Sequence, residues 1–186
     1  GVLRHDGVDW LMTPLPGRSP GRSLATGADG LVYVGGYDTF GRLVRDSEGG
    51  LSFEELLTRA GLRDEQRFVG VVWETLAADT GVFFRAEHAM HFVPYDQGEA
   101  RQWQLAENMR SFFQAGGKLY ARVDGRGLCL FEEGKFTLVP GGEQFAQRML
   151  VGLVDRGDWH LLVSRDGPFR ADATGVAPLP GDAGKL

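Results

Sequence analysis

The sequence has a single cysteine, no long apolar run and no excess of basic residues. Because Cys129 is alone, no disulfide framework can form, and cysteine pairing says nothing about the cellular compartment. No apolar run approaches the roughly 18 residues that a membrane-spanning helix needs, and no signal-peptide pattern is recognisable. The chain opens on Gly1 rather than methionine, so we expect it to be a piece of a longer protein.

Charge and motif content exclude several function classes. The 20 basic and 25 acidic residues give a net charge of −5, which argues against a surface for nucleic acid or for anionic lipid. No nucleophile-elbow, Walker-type or dinucleotide-binding motif is present. We therefore predict no nucleic-acid partner, no direct membrane contact by this segment, no cofactor, no metal and no enzymatic activity within the chain.

Glycine is abundant, with 28 residues, about twice the average share. Many of these glycines fall at turns of a short unit that occurs five times. The units start at residues 1, 41, 89, 127 and 167, so the steps between them are 40, 48, 38 and 40 residues. A period near forty in an all-β pattern is typical of a propeller.

Four short β-runs, separated by turns rich in glycine and aspartate, accompany each complete unit. A four-stranded antiparallel meander of this length is one propeller blade. The sequence therefore predicts an all-β propeller fragment of about four blades plus a half-blade. The predicted boundaries are 1–17 for the half-blade and about 18–57, 67–106, 107–141 and 145–182 for the blades. We expect the first strand of each blade to be the most buried, as Val69–Val72 and Val151–Val154 suggest.

The longest step contains a connection from Glu54 to Arg67. Its apolar residues could line one face of a short helix; they are Leu56, Leu57, Ala60 and Leu62. Two interpretations stay open, a surface excursion between blades and a loop that covers a ligand site.

The segment Leu31–Leu43 contains the sequences Val-Gly-Gly and Phe-Gly, and it resembles the propeller repeats of bacterial two-component regulators. Val72-Trp73 and Thr80–Phe84 are similar to the next part of that pattern, although Thr80 stands where the family usually has aspartate. The resemblance is good over residues 20–140 and weaker elsewhere.

The resemblance implies a ligand-sensing propeller outside the cytoplasm, in the periplasm, as part of a membrane-anchored protein. The ligand would be an unknown small molecule or glycan. A β-sandwich domain with a three-tyrosine signature would follow, and the output domain would be a histidine kinase, a diguanylate cyclase or a helix-turn-helix regulator. Adjacent blades, that downstream sandwich domain and a second copy of the protein are the expected partners.

Five residues are candidates for ligand binding. Tyr37, Asp38 and Phe40 lie in the turn after a second strand, where they could meet a ligand or pack between blades. Arg85 and Arg122 each lie near the end of a second strand, where they could bind an anion or form inter-blade ion pairs. Our preferred interpretation of the two aromatic residues is packing, and that of the two arginines is the ion pair.

Other polar groups give weaker signals. His88 and His91 would point to opposite faces of a strand, which disfavours a shared metal ion, and Cys129 in an apolar run is expected to be a core residue. The alternative functions are a polysaccharide lyase or glycosidase, which would need converging carboxylates or a His–Tyr pair, and a protein-binding scaffold.

Overall fold

The computed structural model describes residues 1–47, 49–62, 68–96, 98–106 and 109–179. Within these ranges the chain forms strands and turns, with short 3-10 segments at Pro16–Arg18 and Gly142–Phe145. No helix in this part of the chain has the length and apolar character required to cross a membrane.

The strands form one two-stranded sheet and four four-stranded sheets, and every pairing is antiparallel between strands that are neighbours in the chain. The two-stranded sheet consists of β1 (Val2–His5) and β2 (Trp10–Thr13). The next sheet consists of β3 (Ser23–Thr26), β4 (Val32–Gly35), β5 (Phe40–Arg45) and β6 (Leu51–Glu55). The third consists of β7 (Glu74–Ala77), β8 (Gly81–Arg85), β9 (Ala89–Pro94) and β10 (Arg101–Gln104).

The two remaining sheets repeat this order. They consist of β11 (Met109–Ala115), β12 (Lys118–Val123), β13 (Gly127–Glu132) and β14 (Lys135–Leu138), and of β15 (Leu150–Asp155), β16 (His160–Ser164), β17 (Gly167–Asp172) and β18 (Gly175–Pro178). The predicted all-β organisation, four four-stranded sheets and one half-sheet, is confirmed.

The chain divides into two compact units, residues 1–105 and 106–186. In the first unit β3 contacts β7, and in the second unit β11 contacts β15. The first strands of successive sheets therefore lie against each other within each unit, as inner strands of neighbouring propeller blades do.

Glycine has a steric reason at two starts of the repeated unit, Gly41 and Gly127. A Cβ atom on Gly41 would lie 2.2 Å from the carbonyl oxygen of Glu54 on the adjacent strand, and one on Gly127 would lie 2.2 Å from the carbonyl oxygen of Gly142. Both neighbours are backbone atoms, which cannot rotate away. A side chain at either position therefore requires a shift of the backbone.

Three aromatic residues pack together in the core of the first unit. The buried rings of Phe40 and Phe84 stack with their centroids 4.4 Å apart, and Tyr33 packs at 6.2 Å from Phe84. Burial of rings of this size is among the largest contributions a single residue makes to stability.

The predicted helix in the Glu54–Arg67 connection does not form in its described part. After β6 the chain makes one helical turn, in which Ala60 N–H donates to the carbonyl of Leu56 at 2.8 Å and Leu62 N–H to that of Leu57 at 3.1 Å. Gly61 then ends the turn with a left-handed φ of 78°, the usual helix-ending geometry. All four apolar residues are buried in the core of the unit; residues 63–67 lie outside the described ranges.

The expectation that first strands are the most buried is wrong. In the third sheet β7 begins only at Glu74, so the buried residues Val69 and Val72 precede the strand. In the last sheet Val151 and Val154 of β15 are 52% and 43% exposed. First strands are edge strands of their sheets, whereas central strands such as β9 have a partner on both sides and are buried along their whole length.

The core of the second unit contains Phe145, whose ring meets Phe169 edge-on at 5.1 Å, together with Leu150 and Leu162. Cys129 is fully buried and unpaired, and desolvation raises the pKa of its thiol. The expectation that Cys129 is a core residue is confirmed.

Candidate functional site

The turn that carries Tyr37 and Asp38 connects β4 to β5 and is fixed on two sides. Tyr37 N–H donates to the hydroxyl of Ser19 at 2.7 Å. Asp38 and Gly70 exchange two hydrogen bonds, since Asp38 N–H donates to the Gly70 carbonyl at 2.9 Å and Gly70 N–H to Asp38 Oδ1 at 2.8 Å. The turn is therefore held by the preceding loop and by the segment before β7.

A hollow of about 440 Å³ opens beside this turn, and we name it the Tyr37 cleft. It is lined by the loop 16–20, by Arg22 and by residues 37–39. The Tyr37 side chain is 54% exposed, so its ring is available at the surface of the cleft. Contrary to our preferred interpretation, Tyr37 is therefore not packed between the described sheets. Its position with Asp38 in a concave surface is compatible with the alternative, a role in binding.

Backbone strain is concentrated at the Tyr37 cleft. Among the described non-glycine residues, left-handed φ values occur at Arg18, Asp38 and Glu133, and the first two line this cleft. The left-handed backbone conformation costs a non-glycine residue about 1–3 kcal/mol of folding free energy, and residues in this conformation often lie at ligand-binding positions.

Arg18 and Arg22 are the residues of this cleft that the sequence patterns missed. Both are exposed, and neither guanidinium makes a hydrogen bond or ion pair within the described part of the chain. Other arginines of the same unit are engaged: Arg42 pairs with Glu54 at 2.8 Å and Arg45 donates to the Gly49 carbonyl at 3.1 Å.

The other three predicted site residues lie elsewhere. Phe40 is fully buried against Phe84. Arg85 on β8 pairs with Glu74, directly opposite on β7.

Arg122, on β12 in the second unit, pairs with Asp124 at 2.6 Å and donates to the Phe145 carbonyl at 3.2 Å. The expectation of inter-blade ion pairs is therefore wrong, since Arg85 pairs within its sheet and Arg122 with a residue two positions along.

His91 is buried at 1% exposure, and neither ring nitrogen has a hydrogen-bond partner. Desolvation lowers its pKa to about 4, so the imidazole is neutral at physiological pH. His88 is exposed. Across the described ranges, no three potential metal ligands come together.

In the second unit, Tyr120, His160 and Asp155 lie close together, although His160 Nδ1 makes no hydrogen bond. The Tyr120 hydroxyl lies 3.2 Å from His160 Nε2, and His160 Nδ1 lies 3.4 Å from Asp155 Oδ1. Hydrogen bonds from the Gly157 and Gly116 amides hold the pKa of Asp155 below its usual value, while burial raises the pKa of Tyr120. Tyr120 and His160 border a hollow of about 270 Å³ that is lined also by Lys118 and Trp159.

Comparison with known proteins identifies the fold. No protein-family model matches the chain, and no curated protein sequence matches it. Solved structures are similar: virginiamycin B lyase from Staphylococcus aureus has a TM-score of 0.61 at 13% identity, covering 96% of this chain and 62% of the lyase.

Two further structures belong to different functional classes. The extracellular domain of a protein described as a hybrid two-component system of B. thetaiotaomicron has a TM-score of 0.60 at 13% identity, covering 92% of this chain and 23% of that one. The Pan2 WD40 domain of Neurospora crassa has a TM-score of 0.57 at 14% identity, covering 87% and 49%. The chain is thus a β-propeller, and it spans less than two thirds of the length of each of these proteins.

Proposed function

We propose that this chain is the ligand-sensing propeller of a bacterial signal-transduction receptor. It acts in the periplasm as part of a membrane-anchored protein, it binds its ligand in the Tyr37 cleft, and it performs no chemistry of its own. The observation that carries this proposal is the cleft itself, where an exposed aromatic ring lies on a strained and firmly held turn. The similarity to an extracellular two-component domain and the repeat resemblance to two-component regulators support it.

The polar groups of the cleft favour binding over catalysis. The Ser19 hydroxyl accepts a hydrogen bond from the Tyr37 amide and donates one to the Pro20 carbonyl at 3.2 Å. The Thr39 hydroxyl donates a hydrogen bond to the Glu55 carboxylate at 2.9 Å. The Asp38 carboxylate accepts a hydrogen bond from the Gly70 amide. The Ser19 hydroxyl bonds to backbone groups, so it lacks the base that nucleophilic catalysis requires. The Thr39 hydroxyl faces a carboxylate, but Thr39 is only 1% exposed, so a substrate in the cleft cannot reach it.

The turn also offers a route from ligand binding to the neighbouring sheet. Val72 N–H donates to the Gly36 carbonyl at 2.9 Å, and Tyr37 forms a bridge with Val71. These residues lead directly into β7. A ligand that binds more tightly to one conformation of the turn than to another shifts the equilibrium toward that conformation, and the segment before β7 moves with the turn. Such a difference in affinity is the energetic requirement for a sensor.

A receptor assay tests the proposal. In the intact gene, we expect a membrane helix and an output domain after the propeller, and we expect Tyr37→Ala to abolish the ligand-dependent output. Trp10→Ala is the matched control, because Trp10 is 65% exposed and lies outside both the cleft and the segment that leads into β7. The absence of a membrane helix from the gene, or equal loss in both variants, would refute the sensor proposal.

A second candidate function is an enzyme acting on a polysaccharide, as a lyase or glycosidase. The Tyr120–His160 pair favours it, because His160 Nε2 lies within hydrogen-bond distance of a tyrosine hydroxyl and the Asp155 carboxylate lies 3.4 Å from Nδ1. The test is release of unsaturated or reducing sugar ends from a polysaccharide panel, compared with the His160→Gln variant. Loss of turnover in that variant would favour the enzyme over the sensor, and the absence of turnover from the unaltered protein would exclude it.

A further inference from the structure

The charge of the Tyr37 cleft differs from that of the whole chain. The chain carries a net charge of −5, whereas the charged side chains that line the cleft are Arg18, Arg22 and Asp38. Two positive charges and one negative charge leave +1. A site of this charge suits a monovalent anion better than a dianion such as phosphate, because a dianion would leave one negative charge uncompensated.

The backbone of the two arginines is fixed while their side chains are unused by the protein. Arg22 N–H donates to the Gly35 carbonyl at 2.7 Å, and Arg18 N–H donates to the Leu15 carbonyl at 3.1 Å. Arg18 is held there despite a left-handed φ of 56°. A planar guanidinium without a partner can bind a carboxylate through two parallel hydrogen bonds.

The rest of the lining is suited to an apolar group. Pro16 and Pro20 contribute rigid rings, and Tyr37 contributes an exposed aromatic face. Aromatic rings gain contact area at little entropic cost, because their side chains have few rotatable bonds.

We propose that the Tyr37 cleft binds a small monocarboxylate with an aromatic body. Arg18 and Arg22 hold the carboxylate, and Tyr37 with the two prolines contacts the ring. This inference rests on the binding site of the proposed function and adds the chemical class of the ligand.

Calorimetric titration with benzoate and phenylacetate tests the inference. The matched neutral probes are benzamide and phenylacetamide, which keep the ring and replace the carboxylate. We expect the carboxylates to bind at least roughly tenfold more tightly than their amides, because hydrogen bonds to charged groups are the stronger ones. We also expect carboxylate affinity to fall as NaCl is raised from about 0.05 M to about 0.5 M, since salt screens exposed charges.

Variants assign the effect to the cleft. Arg18→Gln and Arg22→Gln should each weaken carboxylate binding roughly tenfold, with little effect on the amides. Arg45→Gln is the control, because Arg45 is an exposed arginine of the same unit outside the cleft. Thermal unfolding of each variant verifies that the fold is retained.

Equal binding of carboxylates and amides, no detectable carboxylate binding, or equal loss in the Arg45 control would overturn the inference. Failure here is separable from failure of the sensor proposal. A receptor whose output responds to a neutral ligand in a Tyr37-dependent way would retain the sensor function and refute only the ligand class.

Discussion

Burial of His91 makes the stability of the protein depend on pH in a way that one substitution should remove. In the folded chain the imidazole is 1% exposed and has no hydrogen-bond partner. The pKa of His91 falls from 6.5 to about 4 because burial disfavours the charged form. In the unfolded chain the His91 imidazole is half protonated at pH 6.5, whereas in the folded chain it is half protonated only at about pH 4.

The size of the effect follows from this difference in pKa. As pH falls below 6.5, the unfolded state binds a proton that the folded state does not, so the free energy of unfolding decreases. The loss should be about 2 kcal/mol between pH 7.5 and pH 5, and about 3 kcal/mol once the pH is below 4. At pH 7.5 the neutral imidazole contributes almost none of this penalty.

Urea unfolding at a series of pH values measures the effect. The His91→Leu variant replaces the ring with an apolar side chain, and we expect it to lose about 2 kcal/mol less than the unaltered protein between pH 7.5 and pH 5. His88→Leu is the control, because His88 is exposed and its replacement should leave the pH dependence unchanged. Parallel pH profiles for the unaltered protein and His91→Leu would refute the argument.

Three further predictions concern packing and hydrogen bonding. Gly41→Ala should lower the free energy of unfolding by about 1–3 kcal/mol, because the added methyl group meets a backbone carbonyl; Gly152→Ala, whose nearest neighbour would be 3.7 Å away, should be much milder in the same urea titration. Phe40→Ala should cost about 3–5 kcal/mol, since it leaves a cavity beside a stacked ring, and a loss below 1 kcal/mol would contradict its core role. Tyr120→Phe should cost about 0.5–1.5 kcal/mol by removing the hydroxyl next to His160, measured as a thermal shift, and unchanged stability would show that this contact contributes nothing.

The sheets could be predicted from the sequence because their determinants are local. Each sheet pairs strands that follow one another in the chain, so a turn pattern and a repeat length define it. At two of the unit starts, Gly41 and Gly127, the glycine marked a steric requirement. The errors concern packing against other elements: β7 starts late because Val71 and Val72 instead contact the Tyr37 turn.

The site was only partly predictable. Tyr37 and Asp38 were found because they lie in a turn after a recognised strand. Arg18 and Arg22 were missed because they precede the first complete sheet. Their loop meets the turn through the hydrogen bond between Tyr37 and Ser19, two residues that are 18 positions apart in the sequence. The Tyr120–His160 contact spans 40 residues, and no sequence pattern links its members.

The neighbour-to-neighbour pairing of all strands has a consequence for how the chain folds. Closing a short turn costs little entropy, so each hairpin can form before distant parts of the chain meet. Contacts such as that between β3 and β7 join sheets that are already adjacent in the chain. We therefore expect folding to nucleate within single sheets and to spread by stacking, so that amide hydrogen exchange would reveal separate levels of protection for separate sheets.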